Sequence, residues 1–541
     1  MNIFLKTVLA ALPLLAIAEE EAPFVSSIPP NPEEEAPVFL KQLVLADATE
    51  DSVSGKEVDL DSYPSLKALL EEKYFNQPLT ETILMEIRKE ILSYFNQEEQ
   101  FLAAVEYPIQ EVSSGVVTMN LLKAKVGKVT YPDSYWFTPD YYQKRLYMPE
   151  GSVIDKEAML NNIAWINRNP FQFVSAVVSP GEKPGMTDIA FQVRDRFPVR
   201  FYVGADNTGT SFIEQGRLFT GFTWGNFFGR GDLLSFQYTG SPDFHRFKSY
   251  YGNYTCYLPW KHTLILFGGY ATIHPDISSF KSEGQNGQMS GRYTIPFKPL
   301  YTALSHEVLF GYDFKNLNNS LFFVGETLFP VVQSTVQISQ FVVGYQLQYE
   351  GERLKPFMKL ELFFSPAEMV PKQNDAAFQA LRPGAEARYA YGKGMLSDVI
   401  KIPRDFSFAY TLRGQYSSTA LIASEQFPLG GYDTVRGYDE RVYNSDSAVC
   451  VNLEIRSPPR HFSSTRKDAL TILAFFDYGF GHNRDMGDGV PSSQYLMGVG
   501  PGIRYTYSPF VSARIDYGFN LHSVFGDSHS GRVHVGITAG Y

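Results

Sequence analysis

The chain has 541 residues, a formal net charge of −11, two Cys, and 34 Tyr and 43 Phe among 15% aromatics. An acidic balance without a clustered basic patch argues against nucleic-acid binding, and the length exceeds what one core needs, so several domains are expected. Abundant Tyr, Phe and Gly suit long strands and aromatic girdles better than a helical enzyme.

The opening MNIFLKTVLAALPLLAIA carries Lys6, a short apolar run and a small-x-small end at Ala16-Ile17-Ala18. Residues 1–18 therefore read as a secretory signal peptide cleaved before Glu19; the run is too short for a spanning helix. No later segment reaches ~20 uninterrupted apolar residues, so entry into a membrane would require a barrel. Residues 19–37 form an acidic, Pro-rich leader of extended character. Cys256 and Cys450 lie far apart in strand-like runs and suggest neither a disulfide nor a metal site.

Residues 38–123 read as a strand, two helices and two strands. In TETILMEIRKEILSYF, Thr80 is positioned to cap the helix, and Ile83, Ile87 and Ile91 recur on one face. A second copy spans 124–198: strand VGKVTY, helices TPDYYQKRLY and DKEAMLNNIAWINRN, and strands near 172–178 and 187–194. Asp155 is the expected cap of its second helix, with Met159, Ile163 and Ile166 facing inward. Two α/β units in series suggest a modular arm.

From Val199 the period becomes two. In GDLLSFQYTG, Leu234, Phe236 and Tyr238 alternate with polar neighbours. VSARIDYGFN sets Val511, Ala513, Ile515, Tyr517 and Phe519 against Ser512, Arg514, Asp516, Gly518 and Asn520, and RVHVGITAGY repeats the pattern to Tyr541. Runs of ten or more residues, charges on the polar face and aromatics near strand ends favour a membrane barrel over a soluble sandwich. About 16 antiparallel strands fit in 199–541, and the final aromatic-ended strand suits closure against the first. Short connections are expected near 226–230, 259–261, 296–300, 351–354 and 507–509, with long ones near 273–285, 314–332, 366–378, 418–446, 480–493 and 521–530. Those at 392–404 and 457–468 are longer than the rule predicts. Short turns belong to the periplasmic side, where the α/β units must also lie, so the connection after strand 11 (418–446) is extracellular.

That connection contains Val435-Arg436-Gly437-Tyr438. Its arginine either stays in water or turns inward to a carboxylate. In ALTILAFFDYGFG, Asp477 shares the lumenal face with Thr471, Leu473 and Phe475, and a carboxylate there is costly unless hydrated or paired. Guanidinium offers a bidentate match, so Arg436–Asp477 is the expected pair, with Asp516 as fallback partner. Gly437 permits a tight bend and Tyr438 packs on the wall. Arg413, Arg504 and Arg514 are expected to line a hydrated lumen, the alternative being structural ion pairs. No nucleotide loop, HExxH, nucleophile elbow or catalytic carboxylate pair is apparent, so no enzyme, metal or cofactor is expected.

At these motifs the chain resembles a two-partner secretion transporter of the hemolysin secretion/activation family, within the outer-membrane assembly and translocation superfamily. YPIQEVSSGVVTMNLL (107–122) and VVSPGEKPGMTDIAFQV (177–193) resemble the ends of that family's two polypeptide-transport-associated (POTRA) domains. GADNTGT (204–210) and NFFGRGDLLSF (226–236) resemble its first barrel strands. Val435 to Tyr438 matches the superfamily's inward-folded loop motif, and Phe475-Phe476-Asp477-Tyr478-Gly479 its barrel-wall motif. The resemblance implies α+β periplasmic POTRA modules (38–123 and 124–198) ahead of an all-β outer-membrane barrel (199–541). It implies an unfolded secreted exoprotein as client, captured by the modules and translocated without ATP. It further implies pairing of the loop arginine with the wall aspartate, contact with outer-membrane lipid, insertion by barrel-assembly machinery and a monomeric barrel. Candidate client contacts lie in 81–95 and 155–178, where the helical spacing also fits module core. Residues 19–37 are too short and Pro-rich for the amphipathic plug helix that many relatives carry. The rival functions are an insertase for other barrel proteins, whose relatives usually carry more POTRA domains, and a passive porin or anchor, which needs neither arm nor loop motif.

Overall fold

The computed structural model describes Ala16–Ile17 and residues 37–541, with breaks at 48–55, 59, 99–102, 109, 132–133, 184–185, 211–212, 278–279, 299–302, 325–327, 464, 466, 486–490 and 525–529. The signal peptide, the leader and any plug helix thus fall, apart from Ala16–Ile17 and Pro37, outside the described residues. Two units divide the chain, Met1–Phe197 and Pro198–Tyr541.

The first unit holds two mixed α/β modules. One has a sheet ordered Lys56–Val58, Gln42–Asp47, Val116–Lys123, Ala103–Glu106, whose central pair is parallel. Helices Pro64–Tyr74 and Glu81–Glu98 pack on it. Thr80 Oγ1 accepts from Ile83 N at 3.3 Å, satisfying an otherwise orphaned amide at the helix start. The periodic face then goes inward: Ile87, Ile91 and Phe95 are buried against Leu45, Val117 and Met119, with Ile83 half-buried beside them. The second module places Gln172–Pro180, Met186–Asp195 and Lys125–Thr130 side by side, and Ala16–Ile17 runs parallel to Val177–Val178 at the outer edge. Its helices Pro139–Arg145 and Lys156–Ile166 are capped by Thr138 and Asp155, and Met159, Ile163 and Ile166 are buried. The helical apolar positions of 81–95 and 155–166 therefore serve largely as module core.

The second unit is a closed antiparallel barrel of sixteen long strands. They are β1 (Val199–Asp206), β2 (Arg217–Phe227), β3 (Asp232–Gly240), β4 (Phe247–Tyr257), β5 (Thr263–Ile273) and β6 (Phe280–Pro296). Then come β7 (Leu304–Val324), β8 (Leu328–Tyr349), β9 (Phe357–Pro366), β10 (Arg388–Lys401) and β11 (Ser407–Ser417). The rest are β12 (Ser447–Arg456), β13 (Asp468–His482), β14 (Ser493–Tyr507), β15 (Val511–Asn520) and β16 (Gly531–Gly540). Closure is made by β16 on β1, from Gly536 opposite Asp206 to Gly540 opposite Tyr202.

Strand alternation sorts side chains as the period requires. Ile472, Ile515 and Val533 are exposed on the outer face while Asp477, Asp516 and His534 are buried inside. Two features differ from the expected connections. The stretches 273–285 and 314–332 are largely strand: β6, β7 and β8 run 17, 21 and 22 residues. A bilayer needs only about 9–11 residues of tilted strand, so these hairpins project beyond it. Likewise 392–404 is mostly β10, leaving only residues 402–406 as the turn. Gly284, Asn316, Asn318 and Asn319 in the first place, and Gly392 and Gly394 in the second, interrupt the apolar alternation although backbone pairing continues.

Candidate functional site

The 418–446 connection between β11 and β12 folds back among lumenal side chains. Its base is a small hairpin, Phe427–Leu429 paired with Tyr443–Ser445. Beyond it Gly430, Gly431 and Gly437 adopt φ of +96°, +106° and +100°, a region that L side chains enter only with strain. These three bends carry the tip into the wall.

Arg436 is 2% exposed and Asp477 is 0% exposed. The guanidinium Nε donates to Asp477 Oδ2 at 2.7 Å and Nη2 to Oδ1 at 2.8 Å, while the Arg436 backbone N–H donates to Oδ2 at 3.1 Å. The remaining nitrogen, Nη1, donates to Glu454 Oε1 at 2.7 Å and lies 3.5 Å from Asp516 Oδ2. Phe475 stacks beneath, its ring centroid 3.5 Å from the guanidinium carbon. Burial alone would lower the pKa of Arg436; its bonds to Asp477 outweigh that and raise it, so the cation stays charged. The bidentate pair expected from sequence is present, and Asp516 is a longer, additional contact.

The rest of the motif is seated with it. Val435 and Tyr438 are fully buried with Leu429, Cys450 and Leu496. The Tyr438 hydroxyl donates to His522 O at 2.6 Å and accepts from Met497 N at 3.1 Å. Gly437 N donates to His534 Nε2 at 3.1 Å, which fixes that nitrogen of the imidazole as an acceptor.

The predicted lumenal arginines converge here. Arg413 Nη1 donates to Asp433 O at 2.6 Å and Arg514 Nη2 to Tyr432 O at 2.8 Å, so both hold the tip's main chain. Arg504 makes a bidentate pair with Asp516, at 2.6 and 3.0 Å. The ion-pair alternative thus describes Arg504 and also Arg514, whose Nε donates to Asp516 Oδ2 at 2.6 Å, while Arg413 is held by hydrogen bonding to the loop.

Four features go beyond the site residues expected from sequence. Glu454 faces inward by the same period-two rule that places Val449 and Ile455 outward. Asn452 Nδ2 donates to Asp477 Oδ1 at 2.8 Å, filling the carboxylate's last acceptor site. At the outer end of the loop, Asp446 receives Arg382 Nη2 at 2.8 Å, Leu421 N at 2.9 Å and Arg484 N at 2.8 Å, joining three outer connections. Finally, Gly498 and Gly518 extend the floor beneath the tip that Gly479 of the expected wall motif begins. A Cβ on Gly498 would lie 2.0 Å from Arg436 O, one on Gly518 2.3 Å from Gly437 N, and one on Gly479 2.8 Å from Val435 Cγ2. Their signal is the recurrence of glycine in YGFG, MGVGPG and DYGF.

Glu440 gives the loop a pH response. Burial, with Asp433 and Asp206 nearby, raises its carboxyl to about 8, although Tyr432 N–H donates to it at 2.6 Å. A seated pKa above the free value of about 4.3 means that the seated loop holds a proton the released loop lacks. Seating is therefore strongest at low pH, weakens as pH rises from about 4.3, and loses this contribution above about 8. A spin label at Asp433 should gain mobility as pH rises from about 4.3 to about 8 and change no further above that, and Glu440→Gln should flatten that profile.

Comparison with known proteins adds to this geometry. A family model described as haemolysin secretion/activation protein ShlB/FhaC/HecB matches residues 185–307 and 368–505. The heme/hemopexin transporter protein HuxB of Haemophilus influenzae (strain 86-028NP) is 22% identical over 459 residues, covering 80% of this chain and 77% of that protein. The outer membrane transporter CdiB of Dickeya dadantii (strain 3937) is 20% identical over 420 residues, covering 76% and 72%. The solved structure of CdiB from Escherichia coli aligns over 97% of this chain and 94% of its own, with a TM-score of 0.70 and 18% identity.

Proposed function

We infer, from a chain that belongs to the haemolysin secretion/activation family of outer-membrane transporters, that its work is to pass a secreted protein partner across the outer membrane. The barrel spans that membrane and the POTRA modules occupy the periplasm. The observation that carries the reading is the arginine-tipped loop held inside the barrel at Asp477. A passive pore has no use for such a tether.

In this reading an unfolded client first adds to a free sheet edge of a module, where main-chain hydrogen bonds bind it without demanding a particular sequence. The edge at Ala103–Glu106 is one candidate, and that at Gln172–Pro180 becomes another once Ala16–Ile17 leaves with the signal peptide, since the helical apolar positions are taken up by the cores. The motif Val435, Arg436, Gly437 and Tyr438 acts as a latch on Phe475, Asp477 and Gly479. Arg413, Arg504, Arg514 and Asp516 tune its hold. Release breaks the buried, charge-assisted hydrogen bonds of Arg436, so it is coupled to arrival of the client, which supplies competing contacts. Folding of the client outside makes passage one-way, and no nucleotide is consumed. The outer face contacts lipid through its apolar girdle, barrel-assembly machinery inserts it, and one chain makes one complete wall.

Deleting the gene and comparing culture supernatants with outer-membrane fractions tests this function. Loss of one or a few exoproteins, with bulk barrel proteins unchanged, is the expected result. A general fall in outer-membrane barrel proteins with exoproteins unchanged would instead make the chain an insertase.

A further inference from the structure

The loop's first limb has its own anchor, far from Arg436. Glu425 is 1% exposed, and its carboxylate receives four donors. Lys315 Nζ on β7 lies at 2.7 Å, the Tyr391 hydroxyl on β10 at 2.8 Å, Gln340 Nε2 on β8 at 3.2 Å and the adjacent Ser424 Oγ at 3.0 Å. Gln415 Nε2 on β11 holds the Glu425 carbonyl at 3.0 Å. Gln340 is in turn fixed by the Tyr389 hydroxyl at 2.9 Å and by Asp313, itself paired with Arg292 on β6 at 2.7 Å. Beside this cluster Leu421 and Ile422 are buried against Val336 and Ile338 on β8. A carboxylate so enclosed, with every lone pair engaged, is a fixed point.

Lys315 stands on β7 and Asp477 on β13, six strands apart in a sixteen-stranded ring. The two anchors therefore grip separate arcs of the wall, the first on β7, β8 and β10 and the second on β12 and β13, and residues 426–435 join them. We propose that Lys315 and Glu425 are positioning residues that form a second lock, so that the pore opens fully only when both ends of this strap are free. This rests on the transporter reading. It makes the Arg436 end a hinged gate: released alone, the tip swings while the limb still obstructs the lumen.

Single-channel recordings of the purified full chain in planar bilayers test the proposal and need no client. Arg436→Ala alone should give brief, partial openings, and Glu425→Ala alone should stay closed. The double variant should open for sustained periods, with an open probability on the order of tenfold above that expected from the two single effects. Lys315→Met in place of Glu425→Ala should give the same pattern, which guards against a folding defect in either variant. In the Arg436→Ala background the exchange Lys315→Glu with Glu425→Lys should bring back the brief, partial openings of Arg436→Ala alone, and sustained openings there would count against the pair. Full sustained openings from Arg436→Ala alone, or a double variant no different from it, would overturn the second lock. Those results would leave the transport assignment standing, because exoprotein loss on gene deletion is read separately.

Discussion

Replacing Arg436 by Ala is expected to abolish export of the secreted partner while leaving the sixteen-stranded wall intact. The wall is held by strand pairing in which Arg436 takes no part, so heat-modifiable migration on gels should be unchanged. The loss falls on the seat. Removing one member of a buried ion pair typically costs about 3–5 kcal/mol. Here Asp477 keeps Asn452 and the residue-436 backbone N–H, so the lower end, about 3 kcal/mol, applies. That is on the order of a hundredfold in the ratio of seated to released loop. Asp477→Ala should behave alike, and the double variant should be less than additive in exoprotein yield. Arg436→Lys should rescue only weakly, because an ammonium cannot reproduce the fork that spans Asp477 and Glu454. Additive losses would mean that the two side chains act through separate routes.

Gly498→Ala should release the loop as thoroughly while leaving every charge in place. The added methyl would lie 2.0 Å from Arg436 O, a main-chain atom whose neighbours on both sides are pinned. Gly518→Ala meets Gly437 N at 2.3 Å and should act similarly. Both positions lie in strands, where Ala is tolerated, so the damage is one of contact and not of backbone strain. Gly394→Ala on β10 is the control, since its nearest neighbour is Leu360 Cδ2 at 3.4 Å. Export and the mobility of a spin label at Asp433 report the outcome. Normal export by both glycine variants would show that close seating of the tip is dispensable.

Much of the barrel and of its latch is legible in the amino-acid order. The change to a two-residue period at Val199 marks the barrel, and side-chain parity along ALTILAFFDYGFG aims Asp477 at the lumen. An isolated inward carboxylate in an apolar strand then calls for a cation, and the long 418–446 connection offers Arg436 beside Gly437. The same parity along VCVNLEIR points Glu454 inward. The Glu425 anchor is less accessible. Lys315 sits in DFKNLNNS, where a polar run hides the strand period, and 110 residues separate it from Glu425. Loop residues follow no period, so nothing local pairs one with a distant wall position.

The bare floor under the latch has a consequence for cargo. Gly479, Gly498 and Gly518 offer bare main chain beneath the tip, so a tip that leaves uncovers a strip of wall without side chains. Such a strip discriminates little among the residues that slide along it. On the proposed function, that strip suits an extended client whatever its sequence.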